Sequence, residues 1–195
     1  MRCFLKGFFI SLLFIFFLTS LSYSYYMTPT VAELNSLPRY IEVKVRSFLR
    51  LGLNEGIKKE TLLYAKKIGK SEYSPLHHHG IGLILLKRSI KETDKTKKKY
   101  WIDHALGEFK FVIKNSPVRS FILYEVYFKI GELYFYSGDY TMASSNFRKS
   151  IYHKKDFYYA YVMLSECYTN TGLIDEAKKV LELGKQQSNI FSDAL

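Results

Sequence analysis

Residues 124–150, YEVYFKIGELYFYSGDYTMASSNFRKS, and residues 158–184, YYAYVMLSECYTNTGLIDEAKKVLELG, repeat each other at an offset of 34 positions. The shift sets Tyr124 on Tyr158, Tyr127 on Tyr161, Ile130 on Leu164, Gly131 on Ser165, Glu132 on Glu166 and Tyr134 on Tyr168. It then sets Gly138 on Gly172, Tyr140 on Ile174, Ala143 on Ala177, Phe147 on Leu181 and Ser150 on Gly184. Small residues meet small ones and large meet large. A fixed period of this size marks a helical repeat, because one helix pair cannot bury its apolar face alone and must stack on its neighbours.

The residues Ile130-Gly131, Tyr134, Gly138, Ala143 and Phe147, echoed by Leu164-Ser165, Tyr168, Gly172, Ala177 and Leu181, resemble the tetratricopeptide repeat family. The resemblance implies an all-α fold of antiparallel helix pairs stacked as a solenoid. It implies that Gly131 with Ala143, and Ser165 with Ala177, sit where paired helices approach most closely. Gly138 and Gly172 fall at the turn, where a left-handed residue ends a helix at little steric cost. Asp139 is placed to cap the helix that follows.

Upstream, His104-Ala105-Leu106 and Phe109 followed by Ser116-Pro117 look like the second helix of a third unit, whose first helix would run from about Leu76 to Ile90. Gly82 to Ala105 spans 23 residues against 12 from Gly131 to Ala143, so this unit carries an insertion that includes Lys91 to Lys99. Either its helices are longer or its turn is a charged loop. A degenerate helical pair is expected from Pro38 to Ile68. The resulting division is 1–24, 25–74, 75–117, 118–157 and 158–187, with 188–195 as a C-terminal cap. No alternating β pattern of useful length competes with this all-α assignment.

Arg2 and Lys6 precede an apolar run from Phe8 to Leu21 that ends in Ser22-Tyr23-Ser24, the pattern of a secretory signal peptide with a mature start at Tyr25. The run falls short of the roughly 20 residues of a spanning helix. An uncleaved anchor is the alternative. Either way the repeats are expected outside the cytoplasm, in the periplasm or associated with the cell envelope. Cys3 precedes the apolar run and is wrongly placed for lipidation, which leaves Cys167 as the lone cysteine of a mature chain.

The net charge of +11, or +9 without Arg2 and Lys6, suits an anionic partner such as an acidic protein or an anionic membrane surface. Nucleic acid is not expected, since no nucleic-acid-binding signature accompanies the charge. The sharpest basic patch is Lys95 to Lys99. His77-His78-His79 are the only cluster of metal-ligand type. Successive helical residues diverge by about 100°, so the three cannot converge on one ion, and a helix entry with partly exposed histidines is the plainer expectation. No nucleophile elbow, phosphate loop, zinc-protease motif or paired-cysteine motif is present. The chain is expected to be non-enzymatic and to need no cofactor or metal.

The family resemblance points to protein or peptide binding in a concave groove lined by the first helix of each unit. It places Glu132 and Glu166 along that groove, with Glu125, Phe128, Phe135 and Tyr136 in one unit and Tyr159, Val162, Thr169 and Asn170 in the next. Two acids at these positions oppose the carboxylate-clamping use that some members make of the groove. A partner offering aromatic, apolar or basic groups is expected instead.

Overall fold

The computed structural model describes residues 28–192, and side chains as far as Ser188. The expected signal sequence and the expected start at Tyr25 lie outside these residues. In chain order the helices are α1 (Val31–Asn35), α2 (Arg39–Leu49), α3 (Glu55–Ile68), α4 (Lys70–Tyr73), α5 (Leu76–Lys91), α6 (Lys95–Asn115), α7 (Leu123–Tyr136), α8 (Tyr140–His153), α9 (Tyr158–Asn170) and α10 (Ile174–Ser192). The described residues contain no strand, and none of their helices is long and apolar enough to cross a membrane.

The pairs α5/α6, α7/α8 and α9/α10 stack in sequence, each second helix lying against the pair that follows. Their closest approaches are set by glycine against aromatic rings. A Cβ on Gly131 would stand 2.5 Å from Cε1 of the buried Phe147, and one on Gly82 would stand 2.7 Å from Cε1 of Phe109. The third pair solves the same contact with Ser165, whose hydroxyl donates to the carbonyl of Ala177 at 3.0 Å. Both turns close alike: Asp139 N donates to Tyr134 O at 3.0 Å and Leu173 N to Tyr168 O at 2.9 Å, around Gly138 and Gly172 at φ +82° and +79°. Asp139 Oδ1 accepts from Met142 N and caps α8.

The insertion in the α5/α6 unit lengthens both helices, to 16 and 21 residues against 14 for each of α7 and α8. Lys95 to Lys99 therefore begin α6 instead of forming a charged loop, with Asp94 capping the helix through Lys97 N. Of the expected C-terminal cap 188–195, the described residues 188–192 continue α10 without a break.

At the other end α2 packs on α5, and α3 packs on α2. Arg39 joins the two through a bidentate pair with Glu60, at 2.9 and 2.6 Å, while the buried Glu42 holds both Arg39 and Arg46. One core runs through α2, α5, α6 and α7, and a second fills the space among α7, α8 and α9.

A candidate protein-binding groove

Spacing by three or four residues puts Glu125, Lys129, Glu132 and Tyr136 on one stripe of α7. The 34-residue period maps these onto Tyr159, Met163, Glu166 and Asn170 of α9. Because Gly82 is the counterpart of Gly131, the same stripe on α5 is Leu76, Gly80, Leu83 and Lys87. The stripe opens progressively along the molecule.

On α5 it is closed. Leu76 and Leu83 are buried, a Cβ on Gly80 would lie 2.5 Å from Val45 and 2.6 Å from Ile41 of α2, and Lys87 Nζ donates to Ser36 Oγ. On α9 it is open, with Tyr159 68% exposed and Glu166, Thr169 and Asn170 on the surface. α7 lies between these extremes, half-buried at Glu125 and reaching 48% exposure at Tyr136.

Two of the expected groove residues prove to have other work. Phe128 is 8% exposed and packs against Phe147 and Phe157 with ring centroids 5.4 and 5.0 Å apart, so it belongs to the core between units. Glu125 turns toward α5, its Oε1 3.5 Å from Nε2 of the fully buried His79, an ion-pair distance too long for a well-formed hydrogen bond. Burial raises the Glu125 pKa, but His79 and the charge of Lys129 together outweigh it and hold the carboxyl below its ordinary value.

Glu132 keeps its place but not its free charge, since Lys129 Nζ lies 2.8 Å from its Oε2. Of the two acids expected to line the groove, only Glu166 faces solvent without an ion pair among the described residues. Phe135, half-buried, packs edge-on to Tyr140 and Tyr136 and shapes the end of the stripe. Val162 is half-buried and Asn170 donates to Glu166 O. Lys129 escaped the sequence argument, although its place four residues after Glu125 and three before Glu132 already implied a paired cation.

The histidine run is not the partly exposed helix entry that was expected. His77 and His79 are buried. His77 and His78 instead complete a ladder of rings, Phe48–His77–His78–Phe111, with successive centroids 3.8, 4.1 and 3.7 Å apart, while His78 Nδ1 lies 2.6 Å from Glu108 Oε2. Burial, reinforced by the neighbouring His78 and Lys44, pushes the His77 pKa down to about 4. Among the described residues no group of three or more His, Cys, Asp or Glu side chains is arranged to hold a metal ion.

A cleft of about 750 Å³ lies away from this groove, where the 116–122 connection meets the end of α8. It is lined by Val118, Arg119, Ser120, Phe121, Tyr124, Tyr152, His153 and Lys154. Sequence periodicity gave no warning of it, because the 116–122 connection has no equal-length partner in the next unit, where 154–157 does the same job.

Comparison with known proteins agrees with this architecture. A family profile described as tetratricopeptide repeat matches residues 124–156 and 158–186. The fold is similar to that of TTC0263, a thermophilic TPR protein in Thermus thermophilus, at TM-score 0.53 and 17% identity over 80% of this chain and 78% of that one. It is also similar to the crystal structure of MamA protein, at TM-score 0.51 and 16% identity over 80% and 76% of the two chains. No curated protein matches the sequence.

Proposed function

We infer that this chain, whose residues 124–156 and 158–186 match the tetratricopeptide-repeat profile, is a protein–protein interaction scaffold that works outside the cytoplasm of a bacterium, holding one partner of an envelope assembly on the α7/α9 stripe. The observation that carries this reading is the opening of that stripe at Tyr136, Tyr159 and Glu166, beside a closed stripe on α5. Tyrosines that present large rigid surfaces supply binding energy, and an unpaired carboxylate between them selects for a basic or hydrogen-bond-donating partner. Export rests on the basic N-terminus and the apolar run ending at Ser24.

The test places a photo-crosslinking residue at Tyr136 or Tyr159 in cells, with the exposed Leu62 of α3 as the control, and identifies adducts by mass spectrometry. One dominant envelope protein, captured from both tyrosine sites and lost when Glu166→Lys is added, supports the assignment. Equal capture from Leu62, or capture indifferent to Glu166→Lys, refutes it. Cell fractionation with N-terminal sequencing decides export separately: a mature chain beginning at Tyr25 in the periplasm is expected, and a cytoplasmic chain beginning at Met1 overturns that part.

A further inference from the structure

We propose that the cleft between the 116–122 connection and the end of α8 is a second binding site, for an acidic peptide segment bearing an aromatic or large apolar side chain. Its lining combines two cations, Arg119 and Lys154, with four apolar or aromatic side chains, Val118, Phe121, Tyr124 and Tyr152, and no acid. Arg119 stands exposed, with no ion-pair partner among the described residues. Lys154 is held with its Nζ 5.0 Å above the Tyr124 ring, so its charge is fixed at the rim. His153 stacks on Tyr127 with centroids 5.3 Å apart, and burial lowers its pKa, which makes it a neutral surface at pH 7.

The apolar groups here are unusually open. Val118 is 84% exposed, Tyr152 80% and Phe121 46%, although all three border one concavity. Its volume falls within the roughly 300–1,000 Å³ span of ligand pockets. No acid lines the cleft, although Glu125 and Asp156 lie close enough to be felt by Tyr124. Glu72 accepts a hydrogen bond from the buried Ser120 hydroxyl, and Asp156 is felt by Tyr124, whose pKa rises mainly through burial and then through Glu125 and Asp156. Lys154 thus stands over the Tyr124 ring on the wall of the cleft, with Arg119 exposed beside it.

Charge complementarity selects an anionic occupant, and the concavity selects a peptide over a lipid surface. A membrane contact is made by a protruding basic ridge, whereas two cations flanking a hollow can close on a single side chain with carboxylates on either side. The site is separate from the α7/α9 stripe, so its failure leaves the groove assignment standing.

The probe is a fluorescently labelled acidic hexapeptide carrying one phenylalanine, titrated into the protein at low and high salt, with the basic counterpart peptide and phosphatidylglycerol vesicles as competing arms. Saturable binding of the acidic peptide is expected, weakened at least tenfold by Arg119→Glu with Lys154→Glu, weakened also by Tyr152→Ala, and reduced by salt. Amide shifts in a nitrogen-labelled protein should fall on residues 118–124 and 152–154. Circular dichroism of each variant shows that the fold is kept, and Tyr152→Ala, which alters only an exposed ring, stands as the reading if the double variant misfolds. Absence of saturable binding, equal binding of the basic peptide, shifts confined to α9, or tight vesicle adsorption that the variants abolish in place of peptide binding would each overturn the proposal.

Discussion

Replacing Gly131 by alanine tests the packing argument at the point where the structure is least forgiving. The new methyl would sit 2.5, 2.7 and 2.9 Å from three atoms of the Phe147 ring, and that ring is fully buried with Phe128 packed against it. Neither ring can yield without disturbing the contact between units. Overpacking of this kind costs about 1–3 kcal/mol. Alanine returns up to about 1 kcal/mol because it favours the helix over glycine. With all three contacts below 3.0 Å the cost falls in the upper part of that range, about 2–3 kcal/mol, and the balance is a loss of about 1–2 kcal/mol. Gly107 is the matched control, lying inside α6 with nothing within 4 Å of its missing Cβ and its surface exposed, so Gly107→Ala should gain about 0.5–1 kcal/mol. Urea denaturation followed by far-ultraviolet circular dichroism reads both. The third pair supplies a rescue, since it carries Ser165 and Leu181 where the second carries Gly131 and Phe147. Gly131→Ser should be relieved by adding Phe147→Leu, with a favourable coupling of about 1 kcal/mol. If Gly131→Ala proves as stable as the parent, or if the double variant shows no coupling, the Gly131–Phe147 contact does not set the spacing of the helices.

Acid should weaken the fold in two separable windows. The His77 pKa is near 4 in the fold and 6.5 for the free side chain, so between these values the unfolded chain takes up a proton that the folded one refuses. Stability from this source is complete above about pH 6.5 and drains away as the pH falls toward 4; urea midpoints measured across that range should fall less steeply in His77→Phe, and an unchanged slope would remove His77 as the cause. Glu33 is driven upward by burial but more strongly downward by Arg88 and its Thr30 hydrogen bonds, to about 2, so its contribution is present above about pH 4.5 and lost between there and 2. Glu33→Gln should cost about 1–2 kcal/mol after solvent screening and speed amide exchange in α1 while leaving α9 untouched, and uniform acceleration would contradict a local role. Cys167 is fully buried, with its thiol pKa raised chiefly by that burial, so a thiol reagent should label it only as fast as the α9/α10 unit opens, accelerating with urea; immediate stoichiometric labelling in native buffer would show the site to be accessible.

The stacking of the last two pairs was legible because the 34-residue offset reports it directly, and the equivalence of Gly82 with Gly131 extended the reading to the divergent α5/α6 pair. Periodicity tells which side chains share a face of one helix. It does not tell what packs onto that face. Tyr136, Tyr159, Glu166 and Asn170 are surface residues of the expected stripe, but Phe128, one residue out of line with it, is claimed by Phe147 of α8 and Phe157 of the 154–157 connection. Glu125 lies on the stripe and is drawn aside by a histidine 46 positions earlier in the chain. The burial of His79 likewise arises from contacts between helices, and the cleft at Tyr124 from a 116–122 connection with no equal-length counterpart in the next unit.

The helix α2 lies against α5 over the very positions that α7 and α9 leave free, with Val45 and Ile41 filling the hollow at Gly80. It thereby acts as a length stop. A groove three units long is cut to two by the protein's own chain, and the reach of any partner along it is bounded before that partner arrives. Truncations that remove α2 would not simply shorten the molecule; they would lengthen its recognition surface by one unit and bare an apolar slot at Leu76, Gly80 and Leu83, so a minimal fragment for interaction work has to keep α2 together with α5 to α10.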